Sequence, residues 1–386
     1  VLKHKEAGMD FADLRDDLLD SVTRFARERV TPAITPHLEK HSFPAELVAE
    51  AGALGLFGTA YDPAFGGAGL GVRGAALVAE ELARAEPSFS AIYVCHSAPA
   101  TLLDRYGSDA LREKWLRPAN EGRFIGSFGV TEPHGGSDIA NIRTRAVEDG
   151  DDFVLTGAKV FSTNAGTPSH GFTTIVAVTD PDMGAKGLST FLVPVGTPGF
   201  SFGQRKPKIG WRAADSVELF LDNVRLPKAN MIGRRGDGLK QVLTVLSIGR
   251  ILVAAIGLGL ARKAVDLSRQ YGRERKLFGA SILAHQGLAF PLADLLTEIH
   301  AAELMIANAA RLVDEGKPFR VETSMTKLFA SQLAVKAASQ AIQVHGGYGV
   351  FSEYPVAGLL GEAKVLEIVE GTSEMQRMVI ARELLA

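Results

Sequence analysis

Cysteine is nearly absent from this chain. Cys95 is the only one in 386 residues, which excludes an internal disulfide and any multi-cysteine metal or iron–sulfur site. A reducing compartment of the cytoplasmic type fits that scarcity. An excess of one charge sign is missing as well. The 42 Lys and Arg stand against 44 Asp and Glu for a net charge of −2, so no nucleic-acid or anionic-membrane surface is expected. Partners are expected among small molecules and proteins. Long apolar runs are also lacking: Ile251 to Ala261 falls well short of the roughly 20 residues that cross a bilayer, so no transmembrane helix is expected. Val1 to Asp10 carries Lys3, Lys5 and Glu6 without an apolar core, unlike a signal peptide.

What is present is an ordinary globular composition. With 46% hydrophobic and 22% charged residues, the chain has material for a large core and two or three domains. From Asp10 to about Arg123 the pattern is helical: Phe11, Leu14, Leu18, Val22 and Phe25 recur at steps of three and four. Further helices are expected over 46–56, 72–85 and 91–106, joined by turn-rich segments at 61–69 and 84–88. Between Phe124 and Gly238 the period shortens, with β-rich runs at 153–155, 173–178, 190–193 and 216–221. No helices intervene there to carry crossovers, so an antiparallel barrel or sandwich is expected. After Gly238 long helices return over 239–271, 282–315 and 320–344, as in a four-helix bundle. The fold class is therefore α+β: an all-α domain over 1–123, a β domain over 124–238 and a helical bundle over 239–386. No internal repeat or low-complexity tail is evident.

The most informative stretch for chemistry is Glu370-Gly371-Thr372-Ser373-Glu374-Met375-Gln376-Arg377. Apolar residues 363–369 lead into it and Met375, Met378 and Val379 resume a helical face, so Glu370 sits at a break between helices. Gly371 permits a sharp turn, and Thr372 or Ser373 is placed to cap the next helix. Taken alone, such a corner reads more often as a capped turn than as a catalytic site. Gly69-Leu70-Gly71-Val72-Arg73-Gly74 matches G-x-G-x-x-G spacing, but no buried strand precedes it, so it reads as a decoy. In Phe128-Gly129-Val130-Thr131-Glu132-Pro133-His134-Gly135-Gly136-Ser137-Asp138, small residues and hydroxyls could approach a ligand, although the glycines alone suit a surface turn. Phe161 and Thr163 would share a strand face, with Phe161 able to stack on a planar ring or to serve as ordinary core. His96 and His285 read as structural, since no carboxylate–histidine spacing supports a metal.

Together these segments resemble the acyl-CoA dehydrogenase family of flavoenzymes. The resemblance runs in order through Val130-Thr131-Glu132-Pro133, Lys159 to Asn164, Arg273 to Gly279 with His285-Gln286, Gln343 to Gly347, and Glu370-Gly371-Thr372. It implies FAD and a helical–β–helical subunit, usually in a homotetramer. It also implies that Phe128, Val130, Thr131, Ser137, Phe161 and Thr163 hold the flavin of their own subunit, with Thr372 and Glu374 completing the cradle. Arg275, Phe278, Gln286, Gln343, Gly346 and Gly347 would hold the adenosine-diphosphate half of a neighbouring subunit's FAD. Residue by residue, the bland alternatives are a surface cation for Arg275, a solvated helix position for Gln286 and a helix stop for Gly346-Gly347.

The implied reaction removes the α-proton of an acyl-CoA with Glu370 and passes the β-hydrogen to the flavin, giving a trans-2-enoyl-CoA. Electrons then go to electron-transferring flavoprotein. Some relatives carry the base on the long helix, beside the position of Arg250, where this chain has Gly249. Ser137, Arg250, Val369 and Gly371 are the expected substrate contacts, Arg250 being equally suited to a salt bridge. Burial should raise the pKa of Glu370. Val369 stands where the family often has tyrosine, Phe161 where it has tryptophan, Ser162 where it has isoleucine and His134 where it has glycine. The loss of that tyrosine suggests a pocket for a branched or cyclic acyl group. Gly361-Glu362-Ala363-Lys364 replaces a common Arg-Asp-Ala pattern. An acyl-CoA oxidase, a carrier-protein thioester dehydrogenase and a non-catalytic helical subunit are the alternatives. The compartment would be cytoplasmic or another reducing one, such as the mitochondrial matrix.

Overall fold

The computed structural model describes residues 11–385, so the reading of Val1 to Asp10 as lacking a signal peptide lies outside the described residues. Helix α1 (Phe11–Phe25) buries Leu18, Val22 and Phe25, the stripe that the three- and four-residue spacing marks out. Next come α2 (Ala45–Ala53), α3 (Gly71–Ala85) and α4 (Pro87–Tyr106). The segment read as a turn at 84–88 shrinks to one extended residue, Glu86, whose carboxylate caps α4 by accepting from Ser88 N. Pro87 at the first helical position completes that start.

The G-x-G-x-x-G segment opens α3 with no strand before it. Its helix terminus is already occupied. Asp314 accepts from Val72 N at 2.7 Å and Arg73 N at 3.2 Å, taking the amides that a pyrophosphate would need.

Helix gives way to strand between Asn120 and Ile125 and returns at Gly238. The strands are β1 (Ile125–Gly129), β2 (Arg145–Asp149), β3 (Asp152–Thr163), β4 (His170–Val178), β5 (Leu188–Pro194), β6 (Phe200–Phe202), β7 (Ser216–Pro227) and β8 (Met231–Ile232). Their order is β6-β7-β3-β2-β4-β5-β8, with β1 also on β4. Most pairs are antiparallel, as expected. The exceptions are β1, which runs parallel to β4 from Ile125↔His170 to Gly129↔Ile175, and a single parallel pairing of β2 with β4. The expectation of a purely antiparallel sheet assumed that only a helix can carry the chain back. Here the loop after β1 and the β2–β3 hairpin make the crossover.

Helix α5 (Gly238–Glu274) is followed by α6 (Gln286–Asp314), α7 (Arg320–His345), α8 (Val356–Leu366) and α9 (Ser373–Ala381). By length and composition α5 is the one described helix able to cross a membrane, which the short run Ile251–Ala261 did not reveal; 78% of its most apolar window is buried inside the protein. It packs against α3, α4, α6 and α7. The approach to α3 is close: a Cβ on Gly259 would lie 2.3 Å from the Glu80 carbonyl oxygen. One continuous core results, joining Leu18, Leu82 and Phe89 of the first helices to Ile256, Leu333 and Ala363 of the last.

Candidate active site

Where the sheet meets α4, α5 and the α8–α9 corner, a cavity of about 1510 Å³ opens. Single small-ligand sites occupy about 300–1,000 Å³, so this one has room for two molecules side by side.

Glu370 stands on one wall. It adopts φ +53° and Gly371 φ +89°, a left-handed pair that reverses the chain between α8 and α9. Such a φ strains a residue with a Cβ, and four interactions hold it in place. Arg250 Nε (3.4 Å) and Gln376 Nε2 (3.3 Å) donate to the Glu370 carbonyl, and Gln376 Nε2 (2.7 Å) and Lys327 Nζ (2.8 Å) donate to that of Gly371. Thr372 then caps α9, its hydroxyl accepting from Met375 N at 3.3 Å. Of the two expected cap residues, Thr372 takes the role and Ser373 is buried.

The Glu370 Oε2 atom is buried with no hydrogen-bond partner. Burial raises the pKa of this carboxyl to about 7, against the opposing pull of Arg250 and Lys327. The Glu370 N–H also lacks an acceptor among the described residues. Facing the carboxylate is Gly249, where a Cβ would sit 2.9 Å from Oε2. The carboxylate thus fills the space that a side chain at 249 would enter. Arg250 makes no ion pair within 4.0 Å among the described residues; it is buried and donates to Ser324 Oγ at 3.1 Å.

The opposite wall comes from the sheet. Phe128, Val130, Thr131 and Ser137 line the cavity, and neither the Thr131 nor the Ser137 hydroxyl has a protein partner among the described residues. The loop that carries them is pinned by Glu132, which accepts from Arg143 N (2.8 Å), Thr144 N (2.9 Å) and Lys159 Nζ (2.8 Å). Lys159 also donates to the Val130 carbonyl at 3.2 Å. Burial works against ionising Glu132, but the Lys159 ammonium and these hydrogen bonds outweigh it and hold its pKa below the usual value. Thr163 lines the cavity and its hydroxyl meets Ser216 Oγ at 2.9 Å. Phe161 also faces the cavity, but through a bulge between Lys159 and Ser162 that sets its φ at +61° and leaves it 76% exposed. Regular alternation along β3 does not place it there.

Val369 and Gly371 line the cavity beside the base, and Cys95 lies across from it with its thiol pushed up to about 12 by burial. The expected structural histidines are accounted for. His96 Nδ1 accepts from Gly126 N, burial holding its pKa down to about 3, and His285 contacts the Leu277 carbonyl.

Arg275, Phe278, Gln286, Gln343, Gly346 and Gly347 do not join this cavity. They are exposed where α5 ends, α6 begins and α7 stops, with Phe278 95% exposed and Gly346 capping α7 at φ +58°. Glu374 also lies outside the cavity, in the exposed first turn of α9 with Arg377 3.6 Å away. Sequence reasoning missed Lys327, Gln376 and the holding role of Glu132 and Lys159. It also missed four exposed cations lining the cavity, Lys186, Lys240, Arg320 and Arg382, none in an ion pair with a described residue. Scattered over four separate segments, before β5, in α5, at the start of α7 and after α9, they leave no local motif to find.

Three family models match the chain: acyl-CoA dehydrogenase N-terminal domain at residues 13–123, middle domain at 127–224 and C-terminal domain at 236–385. The short-chain specific acyl-CoA dehydrogenase of Clostridium acetobutylicum is 37% identical over 97% of this chain and 99% of its own length. Butyryl-CoA dehydrogenase from Megasphaera elsdenii superimposes with a TM-score of 0.95 at 34% identity, covering 99% of this chain and 100% of that one. A chain solved in work on the electron transferring flavoprotein of Acidaminococcus fermentans gives a TM-score of 0.94 at 34% identity, covering 99% and 100%.

Proposed function

The chain belongs to the acyl-CoA dehydrogenase family, and from that premise we propose that Glu370 is the base that removes the α-proton of an acyl-CoA. One observation carries this assignment: a buried carboxylate oxygen without a partner, at the edge of a cavity with room for two ligands. The family is FAD-dependent, and the residues present fit that group. The free hydroxyls of Thr131 and Ser137, the backbone of the loop held by Glu132, and the exposed ring of Phe161 offer hydrogen bonds and a stacking face to a flavin. When bound, FAD supplies the acceptor for the β-hydrogen.

The chain's own residues do the rest. A pKa near 7 keeps Glu370 partly ionised at neutral pH and strong enough to take a carbon-bound proton. Its unbonded N–H is available to a thioester oxygen that gains negative charge as the proton leaves. Walls of Val94, Ala98, Leu246 and Val369 surround the base with apolar surface and exclude water. Lys186, Lys240, Arg320 and Arg382 match the phosphates of coenzyme A. Val369 in place of a bulky ring supports a short branched or cyclic acyl group, and the short-chain specificity in the Clostridium relative's name supports the small size.

Electron-transferring flavoprotein is the proposed acceptor, supported by the Acidaminococcus likeness. A homotetramer is the proposed assembly, supported by the exposed apolar side chains Phe278, Phe290, Val350 and Phe351, which lie in the same segments as Arg275, Gln286, Gly346 and Gly347. The single cysteine supports a reducing, cytoplasmic-type compartment. The test is anaerobic addition of an acyl-CoA panel to the flavin-loaded protein. Bleaching by short branched or cyclic members is expected, and Glu370→Gln should stay yellow without being bleached. Bleaching of that variant at the wild-type rate refutes the base. Faster reoxidation by oxygen than by the flavoprotein would make the enzyme an oxidase.

A further inference from the structure

The corner that carries Glu370 is held by more donors than its carbonyls require. Gly371 O already accepts from the neutral amide of Gln376 at 2.7 Å, yet Lys327 Nζ from the first third of α7 reaches the same oxygen at 2.8 Å. Lys327 is fully buried, donates only to that carbonyl and has no carboxylate within 4.0 Å among the described residues. A buried ammonium without an ion pair is costly, and the carbonyl does not need it.

What the ammonium adds is a positive charge behind the base. We propose that Lys327 is a positioning residue for Glu370: it pins the Gly371 carbonyl so that the left-handed corner keeps the carboxylate aimed into the cavity, and its charge favours the ionised carboxylate. The inference rests on Glu370 being the base. From α5 come Arg250 and the side-chain-free Gly249, and from α4 comes Cys95, whose thiol stays neutral because burial and Glu370 push it up to about 12. From α9 come the neutral Gln376, which donates to the Glu370 carbonyl, and Glu374, which acts on Lys327. Arg320 acts on Arg250, and Glu367 acts on Lys327. Among the described residues Arg250 and Lys327 are therefore the cations that pull on Glu370, and Arg250 is engaged with the Glu370 carbonyl and Ser324.

The effect has a sign. Removing an opposite charge from beside a carboxyl raises its pKa, so a neutral residue at 327 should shift the base to higher pH. Lys327→Met and Lys327→Gln, compared with wild type and Lys327→Arg, test this on the flavin-loaded protein. Three readouts apply: bound flavin, the pH profile of kcat/KM with an acyl-CoA that bleaches the wild type, and amide hydrogen exchange over residues 367–376. Both neutral variants should keep their flavin and move the acidic limb of the profile up by about one unit. At pH 7 they should lose about fivefold in kcat/KM, the fall in the ionised fraction of a base moved from about 7 to about 8. Exchange over the corner should quicken in Lys327→Met, and Lys327→Arg should restore the wild-type limb.

Flavin-loaded neutral variants whose limb does not move overturn the proposal. So does failure of both neutral variants to fold, which would make Lys327 a core residue. A wild type that no acyl-CoA bleaches refutes the base and this inference together, whereas an active wild type with an unmoved limb in the variants refutes only the inference.

Discussion

Gly249→Ala should make the protein slightly more stable and much less active. A Cβ at 249 would lie 2.9 Å from Glu370 Oε2 and 3.0 Å from Cδ, where comfortable contacts between heavy atoms begin at about 3.5 Å. The carboxylate must therefore retreat by about 0.5 Å or more. It is the free end of a side chain with no hydrogen-bond partner on Oε2, so the retreat costs the fold little. Position 249 lies inside α5, where replacing Gly by Ala contributes about 0.5–1 kcal/mol to stability. Catalysis suffers instead, since a misplacement of about 1 Å at a reacting group costs up to roughly a hundredfold. The expected result is a melting temperature equal to or above that of wild type, unchanged flavin content, and a rate of flavin bleaching by acyl-CoA that falls about 10- to 100-fold. Thermal melts and anaerobic stopped-flow absorbance read the two effects separately. A variant that bleaches at the wild-type rate would mean that Glu370 does not do its chemistry from the position facing Gly249.

Three further outcomes follow from other parts of the site. Glu370→Gln should change how stability depends on pH: the wild-type carboxyl has a folded pKa raised from 4.5 to about 7, so the folded state binds the extra proton. Its contribution is therefore fully present below about pH 4.5 and lost as pH rises through about 7; chemical denaturation at pH 5 and 8.5 should show the variant gaining up to about 3 kcal/mol on wild type between them, and parallel curves would contradict the buried carboxyl. Glu132→Ala leaves the Lys159 ammonium buried without its partner, so it should cost about 3–5 kcal/mol and reduce bound flavin, measured by melting and by the ratio of flavin to protein absorbance. Lys240→Ala combined with Arg382→Ala should raise KM for acyl-CoA several-fold with kcat unchanged, the gap narrowing in high salt; an unchanged KM at low salt removes these cations from coenzyme A recognition.

The first helices were readable from periodicity, because α1 and α3 each repeat an apolar stripe that the structure buries. The parallel run of β1 on β4 was not readable, since a crossover made of loop and hairpin leaves no helix to signal it. Phe161 and Thr163 do line one cavity, as their spacing suggests, while the bulge that leaves Phe161 so exposed carries no mark in the sequence. At the site, Glu370, Gly371 and Thr372 share one short segment and stood out. Lys327 lies 43 positions before the base, on the buried side of a helix whose neighbours are alanine, leucine and threonine, and only the fold brings it to the corner. Gly249 was legible as an absence. What the structure adds is the reason it stays empty, with the carboxylate of Glu370 in its place.

The bond from Asp314 to the start of α3 has a bearing on how the chain can be cut. A carboxylate from the end of α6 holds two amides some 240 residues earlier, and the helices at both ends of the sequence share one interior. Residues 11–123 thus share contacts and a core with the carboxy-terminal helices. Expressed alone, they would expose the face of α3 that meets α5 and leave its first amides without their acceptor. The amino-terminal helices therefore reach their full set of contacts only when the last helices are present.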